Sequence, residues 1–169
     1  MIRTKKSWCV GLAGMLCLIA AYTVQASSSV DQYLEDAKRL QQKGEYSASI
    51  IQLKNALQKD ANQPQARLLL AQSYLKIGDG ASAENELKRA RDLGAEPAQV
   101  LPFLGQAYMQ QRKFKEMLNE LNAGKDAAPQ LQATLLAMQG NAYLGLGDNS
   151  KAQEKFNAAL KLDADSAEA

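Results

Sequence analysis

The chain has 169 residues, with 20 Lys and Arg against 18 Asp and Glu, and it contains no histidine. This length suffices for one domain or a short array of repeats. The lack of histidine excludes Ser-His-Asp and Cys-His catalytic sets and histidine-ligated zinc. Only 6% of the residues are aromatic while alanine and glutamine are abundant, a composition that favours helices over sheets.

The first 26 residues have the order of a secretory signal peptide. Three basic residues, Arg3, Lys5 and Lys6, precede an apolar run over 8–24, and the small residue Ala26 fits the last position before a cleavage site. The alternative is an uncleaved membrane anchor, but about 17 apolar residues are fewer than the ~20 that usually span a bilayer. The sequence therefore predicts an exported chain that is cut after Ala26.

Removal of this leader leaves a chain without cysteine and with almost no net charge. Both cysteines, Cys9 and Cys17, lie in the leader, and the bulky Leu16 disfavours lipid attachment at Cys17. Without the three leader bases, 17 basic residues remain against 18 acidic ones, a net charge of −1. We therefore expect no nucleic-acid partner, and contact with a membrane only through an uncleaved leader or a lipid anchor.

From Val30 onward the sequence repeats with a period of 34 or 35 residues. Four copies begin at Val30, Pro64, Ala98 and Ala133. Position 8 of every copy is alanine or glycine, whereas positions 11 and 24 are large, with leucine or an aromatic residue. Small residues let two antiparallel helices approach closely, and large ones fill the space toward the neighbouring repeat. Each copy is therefore predicted to form a helix-turn-helix.

The third copy departs from this pattern. The other copies have glycine at position 15, where a turn needs a positive φ, but the third has Arg112. Met117 replaces the small residue at position 20, and Gly124 lies in the predicted second helix. Residues 123–129 are typical of a loose connection, so we predict a soft joint over 123–131.

These columns resemble the tetratricopeptide repeat, and the resemblance extends from Val30 to the end of the sequence. It implies an all-α fold, a right-handed superhelical solenoid of about four helix-turn-helix repeats with eight helices. The implied repeats are 30–63, 64–97, 98–132 (degenerate) and 133–166, with 167–169 beginning an incomplete further repeat. Phe156, Ala159 and Leu160 would then be partly uncovered, so we expect a longer array or self-association through the last helix.

The resemblance also implies a ligand groove on the concave side, lined by positions 2, 5, 9, 12 and 13 of each copy. The groove residues carried over for protein or extended peptide ligands are Lys38, Gln42, Gln65, Gln72, Leu75, Lys76, Gln99, Gln106, Met109, Gln110, Asn141 and Leu144. Amides at position 9 can donate to and accept from an extended peptide backbone. The competing interpretation is an ordinary solvated helix face. With only Lys38 and Lys76 as bases, a dedicated carboxylate clamp is not expected.

We predict that the chain is not an enzyme and binds no metal or cofactor. The glycine-containing segments 78–80 and 145–148 lack the strand and the lysine of a phosphate loop. The acids within 163–168 lack the glycine turn of a calcium loop. Among the groove positions only Asp31 is acidic, which disfavours the paired carboxylates of a glycosidase-type site and hence a substrate-holding domain of an enzyme.

Three segments carry a narrower resemblance. Residues 50–60, 66–71 and 100–104 are similar to tetratricopeptide proteins of the PEP-CTERM/exosortase systems of Gram-negative bacteria. This similarity implies a periplasmic scaffold associated with exopolysaccharide export or protein sorting. The alternative is a generic periplasmic adaptor of an envelope machine, such as pilus, outer-membrane or cellulose export.

Overall fold

Eight helices joined by short connections make up the computed structural model, which describes residues 29–122 and 124–167 and contains no strand in these ranges. The predicted leader, with Cys9, Cys17 and Ala26, lies outside the described residues. In chain order the helices are α1 (29–42), α2 (Tyr46–Lys59), α3 (Pro64–Lys76), α4 (Gly80–Asp92), α5 (Pro97–Gln110), α6 (Phe114–Glu120), α7 (Pro129–Gly145) and α8 (Asn149–Ala167). They form four successive pairs, which confirms the predicted fold class.

The turn within each helix pair contains one residue in the left-handed backbone conformation, with a positive φ. Gly44, Gly78 and Gly147 have φ values of +78°, +82° and +81°, a region that glycine enters without steric cost. Arg112 occupies the same place in the third pair with φ +57° and is the one non-glycine residue of the described chain with a positive φ. The sequence pattern thus located all four turns, including the one without glycine.

The starts of the helices also follow from local chemistry. The first helices α3, α5 and α7 begin with Pro64, Pro97 and Pro129, whose missing N–H would have no partner in a first turn anyway. In α4 the side chain of Asp79 accepts a hydrogen bond from the Ser82 backbone N–H at 3.0 Å, a cap that satisfies one otherwise unpaired donor.

The helix pairs stack so that the first helices form one row and the second helices another. Along the chain, α3 packs on α5 and α5 on α7, whereas no Cα atom of α4 lies within 8 Å of a Cα atom of α2 or α6. The row whose members lie closer together is the inner side of a curved stack. The first helices therefore line the concave side of the described residues.

Apolar side chains fill the space between the two rows. The large residues at position 24, Leu53, Leu87 and Leu121, are fully buried, and so are the small residues Ala83 and Ala90 of α4. The core is continuous from the second repeat to the fourth, and a smaller cluster joins the first repeat to α3. Each pair of helices therefore buries its apolar face against a neighbouring pair.

The third repeat has a shortened second helix. Helix α6 has 7 residues, whereas α2 and α4 have 14 and 13. Two amides of α7 bind carbonyls that follow α6: Gln139 Nε2 donates to the Leu121 carbonyl at 2.7 Å, and Gln132 Nε2 donates to the Ala127 carbonyl at 2.7 Å. Gln139 stands at position 7, where α3 and α5 have a buried leucine. The connection is thus held by side-chain amides of α7, which itself starts at Pro129, before the predicted repeat start at Ala133.

We expect the connection after α6 to exchange its amide hydrogens faster than α4. Residues 124–128 lie outside any helix and are mostly exposed, so their N–H groups open to solvent at low free energy. Hydrogen-exchange mass spectrometry of the full chain measures this directly, with peptides from α4 as the internal reference. Equal protection of the two segments would contradict a soft joint in the third repeat.

Candidate binding face

The residues at position 9 of the four repeats lie on the first helices, which form the inner row. They are Lys38, Gln72, Gln106 and Asn141, one on each of α1, α3, α5 and α7. Gln106 and Asn141 are exposed, and Gln72 is half-buried. In the described ranges none of these three amides has a hydrogen-bond partner, whereas the Lys38 ammonium pairs with Glu35 at 2.7 Å. We call this series of side chains the position-9 row.

Most of the other predicted groove residues lie on the surface of the same helices. Met109 is half-buried and Leu144 is 48% exposed, so apolar surface accompanies the amides. Exposed polar residues occupy the remaining predicted positions: Gln42, Gln65, Lys76, Gln99 and Gln110.

The prediction that Leu75 lines the groove is wrong. Leu75 is only 7% exposed and belongs to the core cluster that joins the second and third repeats. The residues at the same repeat position, Met109 and Leu144, are more accessible, with Met109 half-buried and Leu144 48% exposed. Helix α5 lies against Leu75, whose carbonyl accepts a hydrogen bond from Gln110. Leu75 therefore contributes to stability and is not available to a partner.

Two glutamines tie successive first helices together. Gln110 Nε2 donates to the Leu75 carbonyl at 2.9 Å, which links α5 to α3. Gln41 Nε2 donates to the Leu69 carbonyl at 2.8 Å and to Ser73 Oγ at 2.9 Å, which links α1 to α3. A glutamine that reaches a neighbouring helix has the same sequence pattern as one that faces solvent, so only the structure separates them.

A buried charged cluster joins the second repeat to the third. From the sequence, Glu84 and Lys88 indicate only an exposed i,i+4 pair, but Glu84 is 8% exposed in the structure. Its carboxylate accepts hydrogen bonds from Lys88 Nζ at 2.8 Å, Lys113 Nζ at 2.7 Å and Gln111 Nε2 at 2.9 Å. Burial alone would raise the pKa of Glu84, but these three donors outweigh it and lower the pKa to about 2.

The same cluster continues to the buried tyrosine of α5. Lys88 Nζ lies 5.5 Å from the centre of the Tyr108 ring and 3.4 Å from Glu120 Oε1, and Glu120 also pairs with Arg91 at 3.3 Å. The Tyr108 hydroxyl has no hydrogen bond of standard geometry in the described chain, although Lys88 and Glu120 are near enough to influence it. Burial raises the pKa of Tyr108 to about 12. This cluster connects α4 to α5 and α6.

The described residues show no arrangement suited to metal chemistry or to crossing a bilayer. Among the side chains described in 29–122 and 124–162, no three His, Cys, Asp or Glu residues are grouped as a metal ion would require. No helix of this part of the chain combines the length and the apolarity that a membrane span needs. The described surface instead presents polar and apolar side chains at equivalent positions of successive first helices.

Comparisons with known proteins agree with the repeated helix pairs that the structure shows. Two family models, both described as Tetratricopeptide repeat, match residues 40–101 and 137–169, together more than half of the chain. A comparison with curated protein sequences finds no match.

Solved structures resemble the chain in fold. MamA has a TM-score of 0.75 at 21% identity, over 88% of this chain and 87% of MamA. PilF of Pseudomonas aeruginosa has a TM-score of 0.68 at 21% identity, over 83% of this chain and 64% of PilF. The tetratricopeptide protein TTC0263 of Thermus thermophilus has a TM-score of 0.62 at 23% identity, over 80% of this chain and 75% of TTC0263. Together with the two family models, these similarities show that the chain carries tetratricopeptide repeats folded into a solenoid.

Proposed function

We propose that the chain is an exported, non-catalytic scaffold that binds extended protein segments along its concave side. The observation that carries this proposal is the position-9 row. Gln72, Gln106 and Asn141 lie on successive first helices, and their amides are unpaired in the described residues. An extended peptide backbone presents alternating donors and acceptors, and an amide side chain can satisfy both.

Apolar contacts next to the amides would add affinity. Met109 and Leu144 are accessible on α5 and α7, beside the amide side chains. A bound segment could place apolar side chains against them while its backbone meets the amides. The near-zero charge of the chain without its leader supports a partner that is chosen by such contacts and not by long-range attraction.

The proposal that this scaffold belongs to a particular export system rests on the sequence segments 50–60, 66–71 and 100–104. Their similarity to tetratricopeptide proteins of PEP-CTERM/exosortase systems supports a periplasmic role in exopolysaccharide export or protein sorting. The signal-peptide pattern of residues 1–26 supports export.

Site-specific photo-crosslinking in the native host tests this proposal. A photoreactive residue replaces Gln106 in the full chain, and a matched variant carries it at Asn85, an exposed amide of α4 on the outer row. We expect adducts at position 106 and none at position 85, with the partner identified by mass spectrometry.

The identity of the crosslinked partner distinguishes a role in an exosortase or exopolysaccharide system from that of a generic periplasmic adaptor. An adduct with an exosortase-system or exopolysaccharide-export protein supports the narrower placement, and an adduct with another envelope protein supports a generic periplasmic adaptor. Adducts at position 85 alone, or equally at both positions, would exclude the concave side as the specific binding surface.

A further inference from the structure

The connection between α6 and α7 leaves a cavity beside the start of α5. Helix α6 ends at Glu120 and α7 begins at Pro129, so this connection is twice as long as the connections over 60–63 and 93–96. The cavity lies inside the array, between the first turns of α5 and α7, and has a volume of about 360 Å³. This volume is within the range of ligand pockets. We call this space the connection cavity.

Much of the lining of the connection cavity is apolar. Leu131 packs against the core cluster that extends from the second repeat to the fourth. The next residue, Gln132, donates a hydrogen bond from Nε2 to the Ala127 carbonyl at 2.7 Å. The apolar wall is therefore held in place by α7 before any partner binds. It consists of Pro97, Ala98, Ala127, Ala128 and Leu131.

Two carboxylates stand at this wall without a cation beside them. Glu96 and Asp126 line the cavity, and both are exposed. In the described residues neither side chain forms a hydrogen bond or an ion pair, and no base stands three or four positions away from either of them. By contrast, Glu35, Asp36 and Asp148 each pair with a base three positions away. The two carboxylates at the cavity are thus available to a partner.

The charge of the cavity favours a cation over an anion. Glu96 is the N-cap residue of α5, but its side chain makes no cap hydrogen bond, and the N-cap residue of α7 is Ala128. The amino ends of these two helices would attract an anion, since each carries about half a positive charge. Two full negative charges exceed that sum of about one, so the cavity is negative on balance.

We propose that the connection cavity binds an arginine side chain of a protein partner. The methylene groups of the arginine lie along Pro97 and Leu131, and its guanidinium donates hydrogen bonds to the carboxylates of Glu96 and Asp126. A guanidinium suits this site better than an ammonium because it is more weakly hydrated and carries five donors in a plane. It can therefore serve two carboxylates beside an apolar wall.

This site is separate from the position-9 row and does not depend on it. Ala98 lies in the first turn of α5, whereas Gln106 lies more than two turns further along the same helix, about 12 Å away along its axis. The amides of the position-9 row do not distinguish charged from neutral segments, but the connection cavity selects for a basic residue. The photo-crosslinking experiment at Gln106 therefore tests a different surface.

A nuclear magnetic resonance titration of the full chain with a short arginine probe tests the proposal. The probe is acetyl-Leu-Arg-amide, and its matched partner contains citrulline, which has the shape of arginine without its charge. We expect saturable shifts of backbone N–H signals within 96–99 and 124–131 with the arginine probe. The citrulline probe should bind at least about fivefold more weakly, because it loses both charge-assisted contacts.

A double variant assigns this binding to the two carboxylates. Glu96→Gln combined with Asp126→Asn should weaken binding of the arginine probe at least about fivefold. The control combines Asp31→Asn with Glu116→Gln, two exposed acids with no ion pair in the part of the chain that the structure describes. It changes the net charge by the same amount and should leave binding unchanged. The unfolding midpoint of each variant shows that it is folded.

Four outcomes would overturn the proposal. Equal binding of the arginine and citrulline probes would show that the charge of the guanidinium is not recognised. An equal loss of binding in both double variants would attribute the effect to net charge and not to this cavity. Shifts that are absent, or confined to residues outside the cavity, would exclude the site. A lysine probe that binds as tightly as the arginine probe would exclude arginine as the preferred occupant.

Discussion

Replacement of Leu87 by alanine should lower the free energy of unfolding by about 3 kcal/mol. The leucine side chain is fully buried in α4, within the cluster that contains Leu68 of α3 and Leu104 of α5. Its removal loses apolar burial and leaves a cavity that surrounding helices fill only in part. Denaturant unfolding followed by circular dichroism measures the change.

The control for this prediction lies on the same helix. Asn85 is exposed and has no partner in the described residues, so Asn85→Ala should alter stability by no more than about 0.5 kcal/mol. In a solenoid each repeat is stabilised mainly by its neighbours, so the loss at Leu87 should also broaden the transition. An unchanged midpoint in Leu87→Ala would mean that the helix register in the second repeat is wrong.

Glu84→Gln should destabilise the fold by about 2 kcal/mol at neutral pH. The carboxylate accepts hydrogen bonds from Lys88, Lys113 and Gln111, and two of these donors come from the third repeat. An amide of the same size keeps the packing but loses the charge of the acceptor and turns one of its oxygens into a donor. Glu116→Gln, at an exposed residue of α6 with no ion pair in the described chain, is the control and should change little.

The effect of Glu84→Gln should depend on pH in a defined direction. The folded-state pKa of Glu84 is lowered from 4.5 to about 2, so its contribution to stability is fully present above about pH 5 and is lost as the pH falls through 2. The difference in unfolding free energy between the native chain and Glu84→Gln should therefore be constant above pH 5 and shrink below it. A difference that persists undiminished at pH 2 would show that the charge of Glu84 is not its source.

The Glu84 cluster bears on binding through the spacing of the repeats. It joins the second repeat to the third, next to the joint where α6 is short. The distance between Gln72 and Gln106 depends on how these two repeats pack. A rigid contact there, followed by a softer connection toward α7, would hold Gln72 and Gln106 in register with each other while the fourth repeat adjusts.

The position-9 row shows the limit of prediction at the binding face. The period of the repeat assigned Gln72, Gln106 and Asn141 to the same face of successive first helices, because side-chain direction within a helix follows position alone. Leu75 was assigned to that face by the same rule and is buried instead. The rule cannot tell how far the next helix overlaps a residue, since the overlap depends on the volumes of side chains from another repeat.

By itself the sequence determined the helical fold, the number of helix pairs and the positions of the turns. These features depend on local chemistry: small and large residues at fixed spacing, glycine or Arg112 at the turns, and proline at the start of first helices. Only the tertiary structure decided that Glu84 is a buried acceptor and that Gln110 and Gln139 bind backbone carbonyls outside their own helices. Each of these depends on contacts between repeats that are distant in the sequence, and the local pattern of charges and amides is the same whether such a side chain meets water or a neighbouring helix.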